Sequence, residues 1–123
     1  MSNSPAEFLF KSRYEKSTGH KLRHGNDNGE PDWIEKNGNA SFEIKQIDTP
    51  LSRLNGQVRV NAVSVSRHAR ENPNCKLVLM LCDGHILMSE PKTILEHAQL
   101  ENSQLAADRD TFITPLSVFT ELQ

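Results

Sequence analysis

A chain of 123 residues is long enough for one compact domain and too short for two, so residues 1–123 are expected to fold as a single domain. Its 14 Lys/Arg against 16 Asp/Glu give a net charge of −2, which excludes a polycation that coats nucleic acid by charge alone. With 36% hydrophobic and 24% charged residues, no apolar run long enough for a bilayer span, no signal-peptide core and only Cys75 and Cys82, the composition points to a cytoplasmic protein with no membrane and no disulfide-linked partner.

The distribution of charge says more than its total. Residues 1–25 carry net +3, residues 26–50 net −4, residues 51–76 net +4 and residues 77–123 net −5. An acidic segment between two basic ones suits a cation site beside a polyanion-binding surface, and equally suits ordinary surface patchiness.

In chain order, the first element reads as a helix. Ser4 is its N-cap, Pro5 stands at the first helical position, Glu7 completes a capping box and Gly19 ends it. A short basic strand over 20–24 leads to a Gly/Asn-rich loop over 25–29. Two strand-like runs, 32–36 and 40–47, flank Asn37-Gly38, a strong hairpin signal. Alternation in the second run puts Phe42, Ile44 and Gln46 on one face and Glu43, Lys45 and Ile47 on the other.

Leu51, Leu54, Val58, Ala62, Val65 and Ala69 form one apolar stripe, which predicts a five-turn helix over 51–70 that carries Gln57. The continuously apolar run 77–82 predicts a central strand buried on both faces, with Cys82 in the core. Asp83-Gly84 turns into a second strand over 85–88, Ser89-Glu90-Pro91 opens a helix to Ala98, and Thr114-Pro115 can start a last one. The result is a mixed α/β domain.

The chemistry concentrates in Glu30-Pro31-Asp32 and Glu43-Ile44-Lys45. Glu43 and Lys45 share a strand face about 6–7 Å apart, and the Asn37-Gly38 turn can bring Asp32 alongside. Two carboxylates at a strand edge form a hard-oxygen site suited to Mg²⁺ or Mn²⁺, leaving room for water and a phosphate oxygen. Lys45 beside them can hold the attacking water and stabilise the pentacovalent transition state. The plainer reading is a turn-capping Asp32 and an exposed Glu43–Lys45 ion pair of little energetic weight.

Pro31-Asp32…Glu43-Ile44-Lys45 resembles the motif of the PD-(D/E)XK nuclease superfamily. The segment from Gly29 to Trp33 and then Asp48-Thr49-Pro50-Leu51-Ser52…Gln57 looks like the small VRR-type nucleases. Short type II restriction endonucleases and archaeal junction resolvases share the core. The resemblance implies a restriction-endonuclease-like α/β fold, a mixed central sheet flanked by helices, over roughly residues 4–100. It implies Asp32 and Glu43 as metal ligands, Lys45 as catalytic lysine, Glu7 as a further ligand where the capping box does not already explain it, and Gln57 as a supporting residue.

The function expected is a Mg²⁺- or Mn²⁺-dependent endonuclease acting on DNA, with branched or structured DNA favoured over a specific sequence. Arg53 and Arg59, with Gln57, are candidates for DNA contact, and Arg67, His68 and Arg70 have two readings, further phosphate contacts or a solvated face. One small domain cuts one strand, so symmetrical cleavage calls for a homodimer. The alternative is a catalytically inactive domain of the same fold that binds nucleic acid or a protein partner.

Overall fold

The computed structural model describes residues 5–26, 30–106 and 109–122. Ser4, the expected cap of the first helix, and residues 27–29 of the Gly/Asn-rich loop lie outside these. Helix α1 spans Pro5–Thr18 and ends at Gly19, whose φ of 79° only glycine adopts without strain. Strands β1 (Leu22–His24), β2 (Trp33–Glu35) and β3 (Ser41–Ile47) follow as an antiparallel meander. The β2–β3 turn is wider than a two-residue hairpin, with Glu35 N–H donating to Ala40 O across it at 2.9 Å. A Cβ at Gly38 would meet the Glu35 carboxylate, a flexible side-chain end that can swing aside.

The largest departure from the sequence pattern comes next. Instead of a helix over 51–70, a 3-10 turn at Leu51–Arg53 leads to strand β4 (Gln57–Asn61), and only then to helix α2 (Ala62–Glu71). Asn55 (φ 56°) and Gly56 (φ 81°) stand in the left-handed region, so no right-handed helix can run through them. Beyond them Val58 and Val60 are buried while Gln57, Arg59 and Asn61 are exposed, the alternation of a strand. Asn61 then caps α2, its Oδ1 accepting from Ser64 N–H at 2.8 Å.

Strand β5 (Cys75–Leu81) pairs in parallel with β3, and β6 (Ile86–Ser89) returns antiparallel to it. Helix α3 (Pro91–His97), strands β7 (Gln99–Glu101) and β8 (Thr111–Pro115), a 3-10 turn at Leu116–Val118 and strand β9 (Thr120–Glu121) complete the chain. The expected last helix is thus a single 3-10 turn. The central sheet has the order β1-β2-β3-β5-β6-β9, and a second, antiparallel sheet has the order β4-β8-β7.

Two apolar layers sandwich the central sheet. Phe10 and Tyr14 of α1 pack on Phe42, Ile44, Val78 and Met80. On the opposite face Leu77, Leu79 and Leu81 meet Val58, Val60, Val65 of α2 and Ile94 of α3. Strand β5 is therefore buried on both faces, as its continuous apolar run requires. Burial pushes the Cys75 thiol up to about 12, an inert core group. Cys82 is exposed rather than in the core, because β5 ends at Leu81, one residue earlier. No described helix is long and apolar enough to cross a membrane.

Candidate active site

The site lies where β2 begins and β3 passes the middle of its course. Trp33 pairs with Phe42, so Asp32, one residue before β2, comes to stand beside Glu43. Trp33 is the anchor. It is fully buried, its Nε1–H donates to Glu7 O at 3.1 Å, and His24 stacks on it at 4.0 Å, so it serves packing. Asp32 is fixed twice: its Oδ2 accepts from Ile44 N–H at 2.9 Å, and its carbonyl accepts from Gly25 N–H at 3.2 Å.

Gly25 is held tightly in this arrangement. A Cβ there would be driven into the Pro31 carbonyl oxygen, which is backbone and cannot swing aside. Gly25→Ala is expected to push the Pro31–Asp32 backbone away from β3 and to cost about 1–3 kcal/mol of stability. A denaturant titration checks the stability. Loss of the Asp32-to-Ile44 hydrogen bond should appear as faster amide exchange at Ile44.

Glu43 and Lys45 share the face of β3 opposite Phe42 and Ile44, as alternation requires. That face looks toward α2, and it gathers charge in a half-enclosed place. Glu43 keeps 17% of its side-chain surface exposed and Lys45 42%, with Lys45 Nζ 3.7 Å from Glu43 Oε2. Burial first, and then the like charge of Asp32, hold the Glu43 carboxyl above the usual carboxylate range. Lys45, Arg67 and the Asp32 backbone amide pull the other way. The two carboxylates therefore feel each other, and their mutual repulsion is what a cation placed between them would relieve.

Among the described residues, no three His, Cys, Asp or Glu side chains converge on a point that could hold one metal ion. Glu7 thus does not complete a three-carboxylate set with Asp32 and Glu43. Its helix packs on the other face of the sheet, through Phe10 and Tyr14. Glu15, about two turns further along α1, is engaged elsewhere, accepting from Leu22 N–H at 2.8 Å and from Lys11 at 3.1 Å. Two oxygen donors still fit Mg²⁺, which keeps most of its water shell and takes one or two carboxylates plus substrate phosphate.

The expected DNA-contact residues are dispersed. Arg59 lies on β4, paired with Glu101 at 3.1 Å, and lines a pocket of about 190 Å³ together with Lys45, Asn61 and Ser64. Arg53 and Gln57 are exposed on the 3-10 turn and at the start of β4, and neither lines that pocket. Gln57 is thereby a strand residue, not a helix-borne one, because the left-handed pair at Asn55-Gly56 precedes it.

His68 has a larger place here than its spacing alone suggests. It is buried, and its Nε2 lies 3.7 Å from Glu43 Oε1. Burial, then the charges of Arg67 and Lys45, lower its pKa, so the imidazole is neutral at neutral pH. The only signal was position: His68 stands three residues after Val65 and next to Ala69 of the apolar stripe, and the structure buries it with Ala62 and Val65.

No protein-family model and no curated protein matches the sequence. Among solved structures, the chain is similar to Hjc of the hyperthermophile Archaeoglobus fulgidus, a Holliday junction resolvase. The match has a TM-score of 0.54 and 14% identity, and covers 94% of this chain and 86% of that one. The fold, a mixed central sheet flanked by helices, is the restriction-endonuclease-like fold of that resolvase.

Proposed function

We propose that the protein is a divalent-metal-dependent endonuclease of the PD-(D/E)XK superfamily that hydrolyses phosphodiester bonds of DNA, with branched DNA as the favoured substrate. The observation that carries this reading is the convergence of Asp32, Glu43 and Lys45 from two adjacent strands, with Glu43 held protonation-prone by burial and by Asp32. Similarity in fold to a Holliday junction resolvase supports both the reaction class and the substrate.

Asp32 and Glu43 would hold Mg²⁺ or Mn²⁺, and the bound cation supplies acidification of water and neutralisation of charge on the phosphate. Lys45 has the remaining work. Its ammonium, half exposed and tethered beside Glu43, orients the attacking water and donates to the phosphate oxygens as they gain charge. Water adds to phosphorus, the bond to the bridging oxygen breaks, and that oxygen leaves with a proton. Arg59, on the rim of the Lys45 pocket, is the basic residue best placed to meet a flanking phosphate, while Arg53 and Gln57 would contact DNA further out. One such site per 123-residue domain makes a homodimer the unit that cuts two strands.

Incubation with supercoiled plasmid and with a four-way junction, in Mg²⁺ and in EDTA, tests the reading. Metal-dependent cleavage with preference for the junction is expected. Junction binding without cleavage in either Mg²⁺ or Mn²⁺ would instead identify a non-catalytic domain of the same fold.

A further inference from the structure

Among the described residues, two buried side-chain polar atoms have no hydrogen-bond partner: Ser64 Oγ and His68 Nε2. Both belong to α2 and stand four residues apart, on one face of the helix. Ser64 lines the pocket that Lys45 borders, and His68 Nε2 is directed at Glu43 Oε1. A buried polar atom left without a partner is destabilising, so the retention of His68 Nε2 beside a carboxylate calls for an explanation.

The ring is held in place from behind. Asn72 Nδ2 lies 3.2 Å from His68 Nδ1, and Asn72 N–H donates to His68 O at 2.8 Å, which pins Asn72 to the helix end. With the Asn72 amide donating to Nδ1, the proton of a neutral imidazole stands on Nε2 and points at Glu43. The Glu43 carboxylate then sits between two donors. His68 Nε2 is 3.7 Å from one oxygen and Lys45 Nζ is 3.7 Å from the other. Both distances are too long for a hydrogen bond, and a rotation of the carboxylate of under about 1 Å closes one of them.

We propose that His68, set by Asn72, is a positioning residue for the metal site: its Nε2–H closes onto Glu43 Oε1 and leaves Oε2, on the Lys45 side, to face the cation. This rests on the nuclease reading. An outer hydrogen bond of this kind fixes the orientation of a ligating carboxylate before the cation arrives. Asn72→His68→Glu43 would be the chain of contacts that does so here.

The test is Mn²⁺ binding by the full chain without DNA, read from the free-ion EPR signal at one pH, with melting temperatures in EDTA alongside. His68→Gln places an amide donor near the position of Nε2, whereas His68→Asn reaches only the position of Nδ1. His68→Asn is expected to weaken Mn²⁺ binding about 10–100-fold, and His68→Gln to stay within about threefold of the wild type. Asn72→Ala, which leaves the imidazole in place but frees its orientation, should fall between them.

Equal binding by the wild type and His68→Asn overturns the proposal. Equal loss in both His68 variants also overturns it, since the missing element is then ring packing rather than the donor. Should either His68 variant fail to fold, unchanged affinity in Asn72→Ala overturns it. No Mn²⁺ binding by the wild type would instead strike the nuclease reading itself, a separate and distinguishable result.

Discussion

Lys45→Met is expected to slow DNA cleavage by about 10²–10³-fold while leaving the fold and metal binding intact. Two features make this the cleanest lesion in the site. Methionine keeps the length and apolar stem of lysine, and the ion pair that it removes is loose, at 3.7 Å with the lysine 42% exposed. Such a pair contributes about 0–1 kcal/mol, so the melting temperature should hardly move. Mn²⁺ affinity should be equal or slightly higher, because a positive charge near the cation is gone. In the proposed mechanism the ammonium acts on the attacking water and on the charge building on the phosphate, which would confine the loss to the chemical step. Single-turnover cleavage at saturating protein measures that step directly. A rate within threefold of wild type would remove Lys45 from the mechanism and with it the PD-(D/E)XK reading of this site.

The fold and the site were legible in the sequence to different depths, for physical reasons. The meander β1–β3 and the buried β5 were readable because a period of two and a continuous apolar run are short-range signals. Glu43 and Lys45 share a face for the same reason. The segment 51–70 misled because Leu51, Leu54, Val58, Ala62 and Val65 satisfy a helical stripe while Val58 and Val60 also satisfy a strand. Asn55-Gly56 in the left-handed region decides between them, and β8 completes the choice by pairing with β4 along Gln57–Asn61. A partner strand more than fifty residues away is not visible in a local pattern. The short edge strands β7 and β9 were missed on the same ground. His68 was visible only as the neighbour of Ala69 at the margin of an apolar stripe. Its aim at Glu43 depends on how α2 crosses β3, which no spacing encodes.

The charge pattern acquires a place in the fold. The acidic segment 26–50 is β2 and β3 with the loops around them, and it holds Asp32 and Glu43. The basic segment 51–76 contributes Arg59 at the rim of the Lys45 pocket and Arg67, whose charge is felt by Glu43. A net charge of −2 is thus no obstacle to phosphate chemistry, since the cations are placed around the acids rather than in excess of them.

That placement leads to an inversion of stability on adding metal. In EDTA, Glu43→Gln is expected to melt higher than the wild type by roughly 3 °C, since glutamine removes a buried charge that Asp32 repels. The pH dependence has a definite sign. The folded-state pKa of Glu43 is above its ordinary value of 4.5, so the native protein binds more protons than the unfolded chain between the two values. Wild-type stability therefore falls as pH rises from 4.5 through the raised value, and Glu43→Gln loses that component of the slope. Saturating Mg²⁺ reverses the order. At a hundred times its dissociation constant a ligand stabilises by about 2.7 kcal/mol, which the wild type gains and the glutamine variant, deprived of one of its two anionic donors, does not. Melting curves of both proteins with and without Mg²⁺ should cross. If glutamine is destabilising in EDTA, Glu43 is a structural residue and its burial is ordinary packing. If the wild type gains nothing from Mg²⁺ or Mn²⁺, the carboxylate pair is not a divalent-cation site and the nuclease reading fails. A crossing of the two curves would mean that the site gives up stability in the metal-free protein in order to hold its cation.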